Sequence, residues 1–226
     1  MKRKYKGKRK SVDKKQNARI KSLEKFVYKT IENKQVNYQG LNNEITTGSF
    51  NTGGFLSTKV GPEDGSQLGD PARIGNTITL MSQRFDFNFV ASGTDTYNQM
   101  RVILVESMDG NQPINIGDVL QYPSYSLWGD LVFNSPYTTS TDTNRRYKVH
   151  MDKKFVLSGL PTFGGAPPAK NISHIVRYKG GKLCEYEGIL ATSPTNHRMS
   201  LIAISDSSTI GHPIMNYASR STYKDA

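Results

Sequence analysis

Positive charge is concentrated at the start of this chain, and this limits which residues can build a folded core. Fourteen of the 30 Lys and Arg residues lie within residues 1–34, where the acidic residues are Asp13, Glu24 and Glu32. This segment therefore carries a net charge of +11, which is the formal charge of the whole chain. The remainder has equal numbers of basic and acidic residues. Because dense like charges repel, the folded body must come from the neutral remainder.

The first twelve residues are predicted to be a disordered basic arm. Residues 2–10 read KRKYKGKRK and contain no apolar surface that could offset the entropy lost on folding. Lys and Arg in such a segment bind phosphates by displacing condensed counterions. A nuclear localisation signal and a solubilising tail are the alternatives. The candidate nucleic-acid ligands in the arm are Lys2, Arg3, Lys4, Lys6, Lys8, Arg9 and Lys10.

Residues 13–34 are predicted to form an amphipathic helix. Ile20, Leu23, Val27 and Ile31 recur at helical spacing and mark one face, which we expect to contact sister helices or the body. A membrane-surface helix and an ordinary surface helix are the alternatives. Six basic residues of this segment are candidates for phosphate contacts: Lys14, Lys15, Arg19, Lys21, Lys25 and Lys29.

The rest of the chain shows short β-type runs separated by turn signals. Residues 35–75 are rich in Gly, Asn, Ser and Thr, which predicts a linker with one short strand. Residues 76–226 contain about eight strand-like runs and almost no helical periodicity. Long connections favour Greek-key topology over tight up-and-down hairpins. The sequence therefore predicts an all-β, eight-stranded antiparallel sandwich over residues 76–226.

Individual runs allow more specific predictions. Phe85, Phe87 and Phe89 alternate and should share one buried face, whereas residues 99–107 are apolar throughout and should be covered on both faces. Tyr147, Val149 and Met151 should also share a face. Gly180-Gly181 predicts a hairpin turn between strands at 172–178 and 182–190.

The sequence contains no recognisable catalytic or metal-binding motif. Its four histidines lack metal-ligand spacing, and the single cysteine, Cys184, is expected to be a packed thiol. No apolar run is long enough to cross a bilayer, and no apolar segment follows the basic start as in a secretory signal. We therefore expect a protein that is not an enzyme and has no cofactor. The sequence leaves open a divalent cation between subunits.

Two further features are candidates for surface contacts. Trp128 closes the aromatic segment YPSYSLW (122–128), which could serve as a subunit contact, stack on bases or pack in the core. Of these, a subunit contact is favoured. The basic pairs Arg145-Arg146 and Lys153-Lys154 either extend a phosphate-binding surface or are solvated charges at a strand edge.

The ordered pattern of the chain resembles a viral protein family. A basic arm, a two-faced helix and a Gly/Asn-rich stretch precede GSQLGDPARIGNTITLMSQRFDFNFVASGTDTYNQMRVILVES, and the chain ends in TYKDA. This is similar to the coat proteins of satellite tobacco necrosis virus and of small circular single-stranded DNA viruses. The resemblance covers roughly residues 1–110 and 198–226, and residues 108–197 do not match.

The resemblance implies a single jelly roll that self-assembles into a small icosahedral (T=1) shell, with arms directed at a single-stranded genome. The arm helices would cluster about threefold axes through Ile20, Leu23, Val27 and Ile31. The dense cluster at residues 2–10 is closer to the DNA-virus coat proteins, which favours DNA over RNA as cargo. The protein would then belong to the virion, after assembly in the host nucleus or cytoplasm.

Two other classes of function compete with this interpretation. A cellular nucleic-acid-binding β-barrel with a basic tail would stay monomeric or dimeric and bind partly through the barrel. An enzyme or lectin on a jelly roll, such as a cupin, would need convergent ligands in a pocket, and the sequence has no HxH pair.

Overall fold

The computed structural model describes most of the body and part of the segment before it. The described residues are 13–23, 33–60, 72–91, 97–108, 110–138, 146–158, 168–208 and 211–225. The basic arm at residues 1–12 lies outside them, as do Lys25, Val27, Lys29 and Ile31 of the predicted helix.

Within these ranges the chain forms mostly β-strands. Residues 13–23 form helix α1. The strands, in chain order, are β1 (Asn33–Glu44), β2 (Phe50–Gly53), β3 (Lys59–Val60), β4 (Ala72–Arg73), β5 (Thr77–Val90), β6 (Tyr97–Ser107), β7 (Tyr147–Ser158), β8 (Ala169–Glu185), β9 (Met199–Ser205) and β10 (Ile214–Asp225). Three one-turn helices lie between β6 and β7: α2 (Ile116–Val119), α3 (Tyr125–Trp128) and α4 (Leu131–Asn134).

Two four-stranded antiparallel sheets make the body. In the described residues the first sheet has the order β1-β10-β5-β8 and the second has the order β2-β9-β6-β7. Apart from β6 and β7, which pair in the second sheet, and the short pair β3 and β4, successive strands switch between the two sheets, which is the topology of a jelly roll. The prediction of an eight-stranded antiparallel jelly-roll sandwich is confirmed.

The core lies between the inner faces of the two sheets. Phe85, Phe87 and Phe89 of β5 are all buried there, as their alternation predicts. They meet Met100, Val102 and Leu104 of β6, and Met151, Phe155, Leu201 and Met215 also belong to this cluster. Large side chains interdigitating from two faces give such a sandwich its stability.

The second sheet has apolar residues on its outer face as well. Ile103 and Val105 of β6 point outward but are buried under the segment containing α2 to α4, next to Val132 and Phe133. The prediction that both faces of residues 99–107 are covered is therefore confirmed. Short helices supply this cover, so of the loop, short helix and strand that the pattern of residues 117–133 predicts, the strand is wrong.

The interpretation of residues 35–75 as a linker with one short strand is also wrong. β1 and β2 are two of the eight strands of the sandwich, and β1 pairs with β10 from Asn33 to Glu44. The sandwich therefore begins well before residue 76, and the predicted helix over residues 13–34 stops short of Asn33. The sequence of β1, NKQVNYQGLNNE, looks like a linker because its outward side chains are mostly amides.

The predicted hairpin around Gly180-Gly181 does not form, because β8 is one continuous strand. Both halves of β8 pair with β5, and the register jumps from Ser82↔Arg177 to Leu80↔Lys182. Residues 178–181 thus form a long bulge opposite Met81. Gly180 and Gly181 have φ of 79° and 82°, and a Cβ at Gly181 would lie 2.3 Å from Thr79 Cγ2. The glycine pair serves the bulge rather than a turn.

A smaller bulge divides the predicted face of β7. The register shifts between Leu104↔Met151 and Val105↔Val149, which leaves His150 as an extra residue. Met151 therefore faces the core between the sheets, whereas Tyr147 and Val149 face the outer apolar cluster. The prediction of one shared face for these three residues is wrong, because a bulge reverses the side-chain alternation.

Candidate nucleic-acid interface and subunit contacts

Helix α1 presents its charged and apolar residues to solvent. All residues of 13–23 are exposed, including the predicted phosphate ligands Lys14, Lys15, Arg19 and Lys21. Ile20 and Leu23 are 52% and 63% exposed. In the single chain these two residues of the apolar stripe do not pack on the body, which leaves sister helices or a membrane surface as their apolar partner. The predicted ligands at residues 2–10, Lys25 and Lys29 lie outside the described residues.

An exposed apolar patch surrounds Trp128 at the end of α3. Leu127, Trp128 and Leu131 are 78%, 45% and 54% exposed. The Trp128 ring lies against that of Tyr122, with centroids 5.0 Å apart. Tyr125 packs on the buried Phe133, which anchors the patch to the body. Trp128 is therefore not a core residue, and clustered exposed apolar side chains are typical of protein contacts.

The outer face of the first sheet, here called the open face, is polar and uncovered by any described helix. The strand registers place its side chains in cross-strand rows. Those rows are Gln35–Thr222–Ser82–Arg177, Asn37–Arg220–Arg84–Ile175, Gln39–Ala218–Asp86–Ser173 and Asn216–Asn88–Asn171. They hold three arginines against one carboxylate, so the open face is net positive.

Hydrogen bonds organise the side chains of the open face. Arg84 donates to both carboxylate oxygens of Asp86 at 2.7 and 3.0 Å, and this bond holds the pKa of Asp86 below its ordinary value. The Asn88 amide donates to Asn171 at 2.8 Å and accepts from Asn216 at 3.3 Å. The three asparagines form a continuous amide row across three strands.

Two adjoining depressions cross the open face. One, of about 380 Å³, is lined by the amide row and by Leu41 and Ser173. The other, of about 660 Å³, is lined by Arg84, Arg220 and polar side chains of β1. Gln39, Asp86 and Ala218 border both. They therefore form a groove that runs over β1, β10, β5 and β8.

The basic pairs identified in the sequence lie elsewhere. Lys153 and Lys154 are exposed on β7, an edge strand of the second sheet, and Lys154 donates to Asn134 Oδ1 at 3.5 Å. Arg146 is exposed just before β7, and Arg145 lies outside the described residues. The described members of these pairs thus belong to a different sheet from the open face, and β7 has the charged side chains that discourage edge pairing.

Arg73, from the ARIG stretch, has a structural position. Its guanidinium is buried and donates to the carbonyl oxygens of Gly188 and Ala191, each at 2.7 Å. It also lies over the ring of Tyr186, 4.0 Å from the centroid. Arg73 thus ties the start of β5 to the loop that follows β8.

A buried polar cluster joins the two sheets at Glu106. This carboxylate is 3% exposed and belongs to β6. It accepts hydrogen bonds from Lys182 of β8 and, at 2.7 Å, from His150 Nε2. It also lies 3.2 Å from His197 Nδ1. Burial alone would raise the pKa of Glu106, but hydrogen bonds from the two histidines and Lys182 hold it well below its ordinary value.

His197 connects this carboxylate to the first sheet. Its Nε2 lies 3.1 Å from Gln83 Oε1, and Gln83 donates to Ser221 at 3.0 Å. Tyr178 from the β8 bulge also donates to Gln83, at 3.3 Å. Both ring nitrogens of His197 face oxygen atoms, yet burial lowers its pKa. The bulges of β7 and β8 thus bring His150 and Lys182 to one buried carboxylate and Tyr178 to the neighbouring Gln83.

The structure also shows the environment of the single cysteine, Cys184. Cys184 is fully buried, and burial raises the pKa of its thiol to about 12, which confirms a packed thiol. Across the described residues, no group of three or more His, Cys, Asp or Glu side chains is arranged to hold a metal ion. No helix in those residues has the length and hydropathy needed to span a bilayer.

Sequence patterns missed the open face and the Glu106 cluster. The open face takes three or four residues from each of four strands, and the Glu106 cluster takes one or two from each strand that contributes to it. A period-two pattern of Asn, Gln and Arg in residues 35–39, 84–88 and 216–220 was the available signal for the open face. No local sequence pattern indicates the Glu106 cluster, because its residues come together only in the folded structure, next to the bulges of β7 and β8.

The fold places this chain in the class of single jelly-roll proteins. No protein-family model matches the sequence, and a comparison with curated proteins found no match. Among solved structures, Desmodium yellow mottle tymovirus is similar at 8% identity and a TM-score of 0.38, with 86% of this chain and 82% of that chain covered. Turnip yellow mosaic virus gives 6% identity and a TM-score of 0.38, covering 87% and 95%. Dimeric latent PorU from Porphyromonas gingivalis is similar at 7% identity and a TM-score of 0.37, with 86% of this chain and 13% of that chain covered.

Proposed function

We propose that this protein is a structural capsid protein that self-assembles into a small icosahedral shell and packages a single-stranded viral genome. The observation that carries the proposal is the division of charge. The whole net charge of +11 lies in residues 1–34, residues 35–226 have zero net charge, and the jelly roll begins at Asn33. A neutral body can pack against its copies without net repulsion, while a tethered polycation neutralises phosphates.

The proposal assigns separate contacts to separate surfaces. The basic residues of the arm and of α1 bind the genome. Ile20 and Leu23, exposed on α1, continue the predicted stripe to Val27 and Ile31 and contact sister subunits. The patch around Trp128 supplies a second subunit contact. We further propose that the shell has T=1 symmetry and that its cargo is single-stranded DNA rather than RNA. The protein would be part of the virion after assembly in the host nucleus or cytoplasm.

Packaging tests the role of the arm directly. We compare the full chain with a variant in which the seven basic residues of 2–10 are replaced by Gln. Because those residues supply seven of the eleven net charges, particles of the variant should contain much less nucleic acid, seen as a lower 260/280 nm absorbance ratio. Circular dichroism should show the same folded body. A variant with the same residues in scrambled order keeps the charge and should package normally.

Two results would contradict the proposal. Equal absorbance ratios for the wild-type and Gln-substituted particles would remove the packaging role of the arm. A full chain that remains monomeric or dimeric by light scattering and electron microscopy, over a range of salt and pH, would remove the capsid role. That second outcome is the one expected of a cellular β-barrel module with a basic tail.

A further inference from the structure

We propose that the open face of the first sheet is a second binding site for single-stranded polynucleotide, with phosphates at its arginines and bases or sugars at its amide row. The inference rests on the proposed packaging function and extends it from the arm to the folded body. A polynucleotide fits the groove because the arginines match its phosphates and the amide row matches its bases or sugars.

The arginines supply the phosphate-binding part. Arg220 and Arg84 are direct cross-strand partners in neighbouring strands, and Arg177 follows one row away on β8. Like charges placed opposite each other are unfavourable without a counter-charge. Asp86 is the only carboxylate in these rows, and its hydrogen-bonded arginine is Arg84. An incoming anion would therefore be attracted to Arg220 and Arg177.

The positions of these arginines leave donors for a ligand. Arg220 donates to Asn37 at 3.2 Å through Nε, and its two terminal nitrogens have no hydrogen-bond partner among the described residues. Arg177 is exposed and has no ion pair there. Guanidinium groups bind phosphate oxygens through paired N–H donors. Three such groups on β10, β5 and β8 can follow a phosphate backbone across the sheet.

The amide row supplies the other part. Asn88, Asn171 and Asn216 lie side by side in the groove, one strand apart. Each amide carries donors and an acceptor, and their mutual bonds use only some of them. Amides pair with the donor and acceptor edges of bases and with sugar oxygens. A groove with arginines at one end and amides at the other thus matches a nucleotide chain rather than inorganic phosphate alone.

Other occupants fit the open face less well. The chain's own basic arm would be repelled by Arg84, Arg177 and Arg220. Face-to-face contact between two copies would bring the same arginines together, which is also repulsive. The basic segment is tethered to the groove instead, because its last basic residue, Lys34, lies in β1, which contributes Gln35, Asn37 and Gln39 to the groove. A polymer neutralised by the arm is thereby held next to the groove.

Salt dependence of binding tests the inference. The triple variant R84Q/R177Q/R220Q of the full chain is titrated with fluorescein-labelled (dT)20 and (rU)20, followed by anisotropy at several salt concentrations. Losing two or three phosphate contacts, at about 0.7 each, should lower the slope of log K against log[salt] by about 1.4 to 2. The matched control K148Q/K153Q/K154Q removes the same charge from exposed positions on β7 and should leave the slope unchanged. Similar losses with both oligonucleotides indicate recognition of features that DNA and RNA share.

Photo-cross-linking of the wild-type chain gives a second readout that needs no folded variant. An oligonucleotide containing 5-iodouracil should cross-link to peptides of β1, β5, β8 or β10 in addition to the arm. Cross-links confined to residues 1–34, or equal slopes for the two triple variants, would overturn the inference while the packaging proposal stands. A lower slope for the arginine variant combined with full binding by the Gln-substituted arm would instead contradict the arm's role and support the open face.

Discussion

The two sheets of the sandwich have similar inner faces and opposite outer faces. Inside, both contribute aromatic and aliphatic side chains to one core. Outside, the second sheet is buried under α2 to α4, where Ile103, Val105, Ile202 and Ile204 pack against the helical segment. The first sheet instead presents arginines and amides in cross-strand rows. Two sheets with the same pairing scheme thus have different relations to solvent.

This difference shows how side-chain choice on one face of a strand sets the use of a surface. An apolar outer face requires cover, and the long connection between β6 and β7 provides it. A polar outer face needs no cover and stays available for a ligand. The exposed patch at Leu127, Trp128 and Leu131 lies on the covering segment itself. In the proposed shell, one sheet would therefore serve the cargo and the cover of the other would serve subunit contact.

The largest expected effect comes from placing a charge on each outer face in turn. Ile103 is 1% exposed and Ile175 is 38% exposed. Ile103→Asp buries an unpaired carboxylate and should destabilise the body by more than about 4 kcal/mol, enough to prevent folding. Ile175→Asp should change stability by less than about 0.5 kcal/mol. Chemical denaturation measures both, and comparable losses would contradict the contrast between the faces.

The second-largest expected effect comes from breaking the Glu106 cluster, which links the two sheets. Glu106→Gln leaves Lys182 without its carboxylate and should cost about 3 kcal/mol, as expected for removing one partner of a buried ion pair. In a chain of this size that lowers Tm by roughly 6–12 °C. The control Glu185→Gln changes an exposed carboxylate on the same strand as Lys182 and should shift Tm by about 1 °C or less. If Glu106→Gln melts like the control, the cluster does not hold the sheets together.

A smaller effect follows from the histidines. Burial lowers the pKa of His197 and of His174, so the folded state binds these protons less readily than the unfolded state. Stability is therefore complete above the ordinary histidine pKa of about 6.5 and is lost as pH falls below it. The lowered pKa of Glu106 adds a further loss below its ordinary value of 4.5.

Thermal unfolding at pH 7.5, 6.0 and 5.0 measures this loss, and Tm should fall by a few degrees between the first and the last. His197 faces Glu106, Lys182, His150, Gln83 and Tyr178, so its protonation adds positive charge to an interior that already holds Lys182. His197→Gln removes that titration and should flatten the pH dependence. The same slope in this variant and in wild type would assign the effect to other groups.

The sequence predicted those parts of the fold that depend on local pattern. Alternating phenylalanines in β5 and the continuous apolar run of β6 identified the central strands and their covered faces. It failed at β1 because an edge strand whose outward residues are Gln35, Asn37 and Gln39 looks like a loop, and pairing with β10 determines its structure. It failed at Gly180-Gly181 because a glycine pair permits both a turn and a bulge.

The sequence likewise predicted only some of the candidate surfaces. The apolar stripe of α1 follows from local spacing, whereas the sequence left open whether Trp128 is exposed or packed in the core. The open face depends on bringing Arg84, Arg177 and Arg220 from three strands into adjacent rows. The Glu106 cluster further depends on bulges in β7 and β8, which no periodicity reveals. Long-range register, rather than residue type, was the missing information.

The buried state of Cys184 makes the native chain suitable for site-specific labelling. A thiol that is fully enclosed and whose pKa is about 12 reacts slowly with maleimide at neutral pH. It is also the only cysteine in the sequence. A new cysteine at an exposed position would therefore be the only fast-reacting thiol, so a fluorophore could be attached without first removing the native residue. Delayed modification of Cys184 would then report each opening of the β-sandwich.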